Sequence, residues 1–218
     1  MARVTLLHDY VTREPFYLEG GHTRRMFRRI VGALAWPYGE TPGCALVLGE
    51  IRTAQTIVGG RHELFILEER QTGDTQELVE TAASLQAQWH VRKWATPLYD
   101  TRIYLIDDYN DEQRRRRLNA RKIIVGDPAG WTGKGEGLMP MYMAFVQRRT
   151  QSEKTLHFGR DSMAAEEIRR LDVNDQVIRH PSAAAAFWAV AGIDMETMPE
   201  WDDRRESRGG PADPIGGY

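Results

Sequence analysis

The sequence predicts an α/β fold built on a mixed β-sheet. Its first three strands are antiparallel, later strands are added in parallel, and helices flank the sheet. Two apolar runs surround the Gly- and Pro-rich turn 37–43, a third run follows, and a helical pattern then leads into another extended segment. A strand–helix–strand connection of this length implies a parallel pair of strands with a right-handed crossover.

The first three strands are predicted at residues 29–36, 44–51 and 62–70. The turn PYGETPG joins the first two, which pairs them as neighbours. In the third run, HELFILEER, apolar residues fall on both faces, and Leu64 and Ile66 share one of them. Such alternation is typical of a strand.

A helix is predicted after the third strand. Asp74 stands three positions before Glu77, which is the spacing of a capping box. The residues that recur at helical intervals and form one apolar stripe are Leu78, Ala82, Leu85 and Trp89. The segment VRKWATPLYD, residues 91–100, returns to an extended pattern and ends in Asp100.

Two more helices are predicted near the end of the domain. Ser162 is an N-cap for the short amphipathic segment MAAEEIRRL. Residues 178–193 are apolar nearly all round, with Pro181 in the first turn, so this helix is expected to be buried against the sheet. The resulting organisation is an N-terminal lead-in at 1–28, one domain at 29–198 and a flexible tail at 199–218.

Composition excludes several classes of protein. The chain has 218 residues and a net charge of −2, with a single cysteine, Cys44, so it forms no internal disulfide and no cysteine metal cluster. No apolar run approaches the roughly 20 residues needed to span a bilayer, and the N-terminus lacks a signal-peptide pattern. A soluble protein of a reducing cytosol is expected, with no membrane partner.

Familiar catalytic motifs are also missing. Gly133 and Lys134 suggest a phosphate-binding loop, but that motif requires glycine at 128 and Ser or Thr at 135, where this chain has Pro128 and Gly135. The six histidines show no ligand pairing, and no GxSxG is present. Carboxylate chemistry remains, and Asp100 is its best-placed candidate, because catalytic groups gather at the carboxyl ends of parallel strands.

Basic residues are concentrated in two clusters that we expect to contact nucleic acid phosphates beside the site. The first cluster consists of Arg24, Arg25, Arg28 and Arg29. The second consists of Arg114, Arg115, Arg116, Arg117, Arg121 and Lys122. A solvated helix face is the alternative for both, and the density of the second favours a polyanion.

The order of motifs resembles the C-terminal nuclease domain of tailed-phage large terminases, the DNA-packaging motor proteins. The segments that carry the resemblance are RIVGALAWPYGETPGCALVLGEI, ELFILEER, DTQELVETAASLQAQW, WATPLYD, TLHFGRDSMAAEEIRRL and RHPSAAAAFWAV. Together they span residues 29–193. The resemblance implies a ribonuclease H-like fold and an endonuclease that uses two Mg²⁺ or Mn²⁺ ions held by three acidic side chains.

Two of those three acidic positions are alanine here. The second acid matches Asp100, whereas the first falls on Ala35, where the family has a pattern like G-x-D-W-G, and the third on Ala183, three residues after His180. Glu40, in the turn, is the candidate for an additional metal ligand. We expect weak or absent metal binding and little cleavage, in either a natural pseudo-nuclease or a disabled version of an active enzyme.

The resemblance also implies partners and a place of action. These are double-stranded DNA, a packaging ATPase, portal or small terminase subunit, and the cytoplasm of an infected bacterial host. Without a Walker motif the chain is expected to be an isolated domain or a stand-alone homologue. The alternatives are a non-catalytic module that binds DNA or docks on the motor, and another ribonuclease H-like nuclease such as a junction resolvase.

Overall fold

The computed structural model describes residues 5–19, 21–51, 63–91, 93–97, 111–112, 114–117, 123–126, 149–150, 153–171 and 179–197. The strands are β1 (Thr5–His8), β2 (Pro15–Glu19), β3 (Thr23–Met26), β4 (Arg29–Ala35), β5 (Gly43–Ile51), β6 (Glu63–Thr72), β7 (Lys93–Pro97), β8 (Ile123–Gly126) and β9 (Leu156–His157). The helices are α1 (Thr75–Trp89), α2 (Met163–Arg170) and α3 (Pro181–Thr197).

The central sheet has six strands in the order β8-β7-β4-β5-β6-β9. Strands β4, β5 and β6 form an antiparallel meander, and β7 and β8 are added in parallel beside β4. The short β9 pairs in parallel with β6 at the other edge. This order and these directions are those of a ribonuclease H-like fold, so the predicted fold class is confirmed.

Helices cover both faces of this sheet. Helix α3 packs across β4, β5, β6 and β7, and its apolar residues share one buried cluster with Val31, Leu46 and Leu64. Helix α1 covers the opposite face, where Leu78 and Leu85 pack with Leu34 and its neighbours. The predicted apolar stripe of α1 and the predicted burial of α3 are both observed.

Two predicted helix starts are also observed. The Asp74 carboxylate accepts hydrogen bonds from the backbone N–H groups of Gln76, at 2.6 Å, and Glu77, at 3.0 Å. The Ser162 hydroxyl accepts one from Ala165 N at 3.2 Å. Each side chain therefore satisfies donors that a helix leaves unpaired in its first turn.

The N-terminal segment is more ordered than the sequence indicates. Instead of a lead-in with little periodicity, β1, β2 and β3 form a separate three-stranded antiparallel sheet. Tyr17 on β2 is buried, with 2% of its surface exposed. The His8 ring on β1 lies 4.6 Å from that of Trp89 at the end of α1, so the sheet contacts this helix. These strands are four or five residues long, so tertiary contact rather than local pattern supports them.

Other predictions fall outside the described residues. These are the tail at 199–218, the glycine-rich loop with Gly133 and Lys134, and the side chains of Asp100, Arg121 and Lys122. Among the helices that the structure describes, none is long and apolar enough to cross a membrane.

Candidate functional site

One edge of the central sheet collects the strand ends that the sequence singled out. Strand β4 ends at Ala35, and its parallel neighbour β7 ends at Pro97, with Ala33 paired to Ala95 in the register between them. Both carboxyl ends therefore meet at the same edge. Asp100 follows β7 in the sequence but lies outside the described residues.

A contact between Cys44 and Ser182 joins the neighbours of Ala35 and Ala183. Ala35 lies opposite Cys44 in the β4–β5 register. The Ser182 hydroxyl donates a hydrogen bond to the Cys44 sulfur at 3.4 Å, and Ser182 directly precedes Ala183 in the first turn of α3. Ala35 is 6% exposed and Ala183 is fully buried, and both belong to the cluster beneath α3.

A polar network surrounds this contact. The Gln71 side-chain amide donates to the Ser182 hydroxyl at 2.9 Å and to a carboxylate oxygen of Glu167 at 2.8 Å. The other Glu167 oxygen accepts from the backbone N–H of Ala183 at 2.8 Å. Sequence reasoning missed both Gln71 and Glu167, because their side chains are linked across 96 positions of the chain and no local pattern indicates that bond.

Burial controls the ionisation of the titratable groups here. Desolvation raises the pKa of the Cys44 thiol to about 12, against a hydrogen bond from Ser182 that lowers it. Desolvation also raises the pKa of Glu167, although the amides of Ala183 and Ser182 donate to its carboxylate. The thiol is therefore protonated at neutral pH and is not a nucleophile.

The described residues do not fit a two-metal centre. Mg²⁺ and Mn²⁺ require several oxygen ligands, and the alanines at 35 and 183 offer none. The nearby carboxylates already accept hydrogen bonds from backbone N–H groups. Glu167 accepts from Ala183 N, and Glu69 accepts from Ala164 N at 2.9 Å. In the part of the chain that the structure describes, no group of three or more His, Cys, Asp or Glu side chains is placed to hold a metal ion.

Glu40 lies at the tip of the β4–β5 turn. Tyr38 and Thr41 exchange backbone hydrogen bonds of 3.0 and 2.9 Å across this turn, and Gly39 takes a left-handed φ of 58°. The Glu40 side chain is exposed, whereas Ala35 and Ala183 are buried. Its role as an additional metal ligand stays a prediction.

Two arginines of the first basic cluster lie at the start of β4. Strand β4 rises about 3.3 Å per residue, which places Arg29 roughly 20 Å from Ala35. Arg29 forms a two-pronged ion pair with the buried Glu50, including one bond of 3.0 Å, and donates to Ile193 O at 3.1 Å. Arg28 also approaches Glu50, at 3.5 Å. Both arginines stabilise the end of β4 opposite Ala35, and their contact with nucleic acid stays a prediction.

Arg24 belongs to the N-terminal sheet rather than to the site. Its guanidinium lies 2.7 Å from the Asp9 carboxylate and 4.3 Å from the centre of the Phe16 ring. Hydrogen bonds from Thr12 N, from Arg24 and from Val11 N lower the pKa of Asp9 to about 2. Arg25 lies on the same strand and is exposed.

The second basic cluster lies over α1, on the face opposite α3. Arg114 pairs with Asp111 at 2.7 Å, Arg115 and Arg116 both pair with Glu112, and Arg116 also donates to Ser84 of α1 at 2.9 Å. The side chains of Arg114 and Arg115 are 73% and 63% exposed. They therefore face solvent while paired, and contact with DNA stays a proposal.

Comparison with known protein families finds no match to this sequence, and neither does comparison with curated proteins. Among solved structures, the chain is similar to the nuclease domain of the large terminase g2p from bacteriophage SPP1, solved with bound manganese. The TM-score is 0.47 at 13% identity, covering 77% of this chain and 88% of that one. It is also similar to the yeast mitochondrial Holliday junction resolvase Ydc2, with a TM-score of 0.36 at 8% identity, covering 75% and 82%. The fold itself is established by the strand order.

Proposed function

We propose that this chain is a terminase nuclease-like domain that acts on double-stranded DNA during genome packaging and is impaired in phosphodiester hydrolysis. The observation that supports this is that Ala35 and Ala183 belong to one buried cluster on a ribonuclease H-like sheet, with a contact between Cys44, paired to Ala35, and Ser182, the residue before Ala183. Strand β4, which ends at Ala35, also lies beside the strand that leads to Asp100. The order of motifs along the chain matches the same interpretation.

The impairment follows from the alanine side chains at positions 35 and 183, which offer no metal ligand. Hydrolysis by two metals requires both ions to be held close together by bridging oxygen ligands. Asp100 is then the remaining acid of the three, and one carboxylate is a poor anchor for two hydrated divalent ions. Loss of binding and loss of cleavage are therefore expected together.

A second candidate function is a non-catalytic module that binds DNA or docks on the packaging motor. The burial of Ala35 and Ala183 favours it, because both pack beneath α3 instead of lining an open cleft. With this function, the exposed arginines at 114, 115 and 117 bind DNA phosphates, and the fold positions these side chains along the DNA backbone.

Plasmid nicking with Mn²⁺ and DNA binding measured against salt test these functions. The unaltered chain is expected to leave the plasmid intact while binding DNA with an affinity that falls as salt rises from 50 to about 200 mM. Nicking that disappears in Asp100→Asn would show a working site and contradict the impairment. Nicking that survives in Asp100→Asn would place the chemistry elsewhere in the chain.

Matched charge variants locate the DNA contact. Changing Arg114, Arg115 and Arg117 to glutamine is expected to lower the slope of log affinity against log salt by about 0.9 for each phosphate that is no longer neutralised. The same triple change at Arg13, Arg24 and Arg25, in the N-terminal segment, measures the contribution of that region, including two residues of the first cluster. Equal effects of the two triple variants on the slope would refute a specific role for the second cluster. A DNA affinity that does not change with salt concentration would refute phosphate contacts altogether.

A further inference from the structure

The residue before helix α3 is His180, which is not among the Ser, Thr, Asp and Asn side chains that usually accept from a first helical turn. Pro181 has no N–H, and the first intrahelical bond runs from Ala184 N to His180 O at 2.9 Å. The backbone donors of Ser182 and Ala183 therefore need an acceptor from outside the helix.

Glu167 on the neighbouring helix α2 supplies that acceptor. One of its carboxylate oxygens accepts from Ala183 N at 2.8 Å, and the Ser182 amide donates to the same carboxylate. An anionic group is favourable at this place because the helix dipole presents its positive end there. Hydrogen bonds to an ionised acceptor are also stronger than bonds between neutral groups.

The capping carboxylate is itself held in place from the sheet. Gln71 on β6 donates to the second Glu167 oxygen at 2.8 Å and to the Ser182 hydroxyl at 2.9 Å. Glu69, two residues earlier on the same strand, accepts from Ala164 N in the first turn of α2. Strand β6 therefore fixes α2, and α2 fixes the start of α3.

We propose that Glu167 is a positioning residue of the candidate site, which caps α3 from the neighbouring helix and so sets where residue 183 stands relative to Ala35. The proposal rests on the proposed function, because position 183 matters as a ligand position only if that function is right. The same contacts make Gln71 the residue that orients Glu167. A glutamine at 167 keeps the shape of the side chain but turns one accepting oxygen into a donor.

Two control variants isolate this role. Glu166→Gln removes a charge from the adjacent position, whose carboxylate is 62% exposed and 3.7 Å from Arg170. Ile168→Val trims a buried side chain of the same helix without touching the cap. The side chains of both residues lie outside the hydrogen-bond network that links Glu167, Gln71 and Ser182.

The first readout is hydrogen exchange of the Ser182 and Ala183 amides in the full chain. Glu167→Gln is expected to speed this exchange by about tenfold or more, since each amide loses its ionised acceptor. Glu166→Gln and Ile168→Val are expected to leave the ratio of these two amides to the rest of α3 unchanged. Equal protection in Glu167→Gln and the unaltered chain would overturn the capping role.

The second readout is Mn²⁺ affinity in the double variant Ala35→Asp with Ala183→Asp, titrated by calorimetry. Adding Glu167→Gln is expected to weaken binding by about 10- to 100-fold, as for groups that orient a metal ligand, while the two controls leave it unchanged. Unchanged affinity would overturn the positioning role. A double variant that folds but binds no Mn²⁺ would instead refute the proposed function, with the exchange result still deciding the cap.

Discussion

Replacing Ala35 and Ala183 with aspartate adds two carboxylates to a buried cluster beneath α3. Ala35 is 6% exposed and Ala183 is fully buried, so each new side chain enters an apolar cluster. Burial raises the pKa of a carboxyl group by up to about 3–5 units in extreme cases, and one unit corresponds to about 1.4 kcal/mol. We expect each single variant to lose about 2–4 kcal/mol of unfolding free energy at pH 7 in the presence of EDTA.

The pH dependence of this loss has a definite sign. An aspartate whose folded pKa lies above its unfolded value of about 3.9 binds its proton more tightly in the folded state. The unfolded state therefore holds fewer protons in that range, and stability falls as pH rises above about 4. Urea unfolding at pH 4.5 and pH 7 is expected to show the larger loss at pH 7. The control pair, Ala35→Asn with Ala183→Asn, adds similar volume without charge and is expected to show no such difference.

Manganese decides whether the two positions form a site. If the carboxylates converge with Asp100 on a cation, 1 mM Mn²⁺ at a Kd of about 10 μM adds about 2.7 kcal/mol to the double aspartate variant. The unaltered chain and the asparagine pair are expected to gain nothing, and Asp100→Asn is expected to remove the gain. A double aspartate variant that Mn²⁺ stabilises no more than the asparagine pair would refute the convergence of these positions on a metal.

Three further predictions concern groups that hold the fold. Because burial raises the pKa of Cys44 to about 12, above its reference value of 9.0, a thiol reagent at pH 8 is expected to label the folded chain at least about 100-fold more slowly than the urea-unfolded chain. The same shift makes stability fall as pH rises above 9, and Cys44→Ala is expected to show a shallower decline. Equal labelling rates of the folded and unfolded chains, or equal pH slopes of the two proteins, would contradict the burial of the thiol. Gly32→Ala places a Cβ against the Trp94 ring and is expected to cost about 1–3 kcal/mol in urea unfolding, and an unchanged midpoint would show that the ring moves freely. Glu50→Ala is expected to lower the unfolding free energy by about 3–5 kcal/mol, because the partly buried Arg29 loses this carboxylate. A much smaller loss in thermal unfolding would contradict this prediction.

Local pattern was sufficient for much of the fold. Strands β4, β5 and β6 begin and end within one or two residues of their predicted bounds, because apolar runs and a turn of glycine and proline define them. The caps of α1 and α2 were equally readable, since Asp74 and Ser162 act on donors a few positions away. The N-terminal sheet was missed because its strands are short and Tyr17 and His8 find their partners elsewhere in the chain.

The candidate site was predictable only in part. The resemblance selected Ala35 and Ala183, and the structure places both in the buried cluster under α3. The bonds of Glu167 and Gln71 had no local signal, because their partners are set by the packing of α2 and α3 on β6. A run of arginines likewise does not reveal that Arg29 faces a buried glutamate from the next strand.

The small residues of α3 determine what position 183 can accommodate. Residues Ala183–Ala186 are each at most 5% exposed, and at Gly192 an added Cβ would meet Ala95 and Val31 at 3.1 Å. Residue 183 therefore lies under the same close packing as the three alanines after it. A carboxylate at this position requires more room between α3 and the sheet than alanine does. An acidic residue at 183 and tight packing of α3 against the sheet thus compete for the same space.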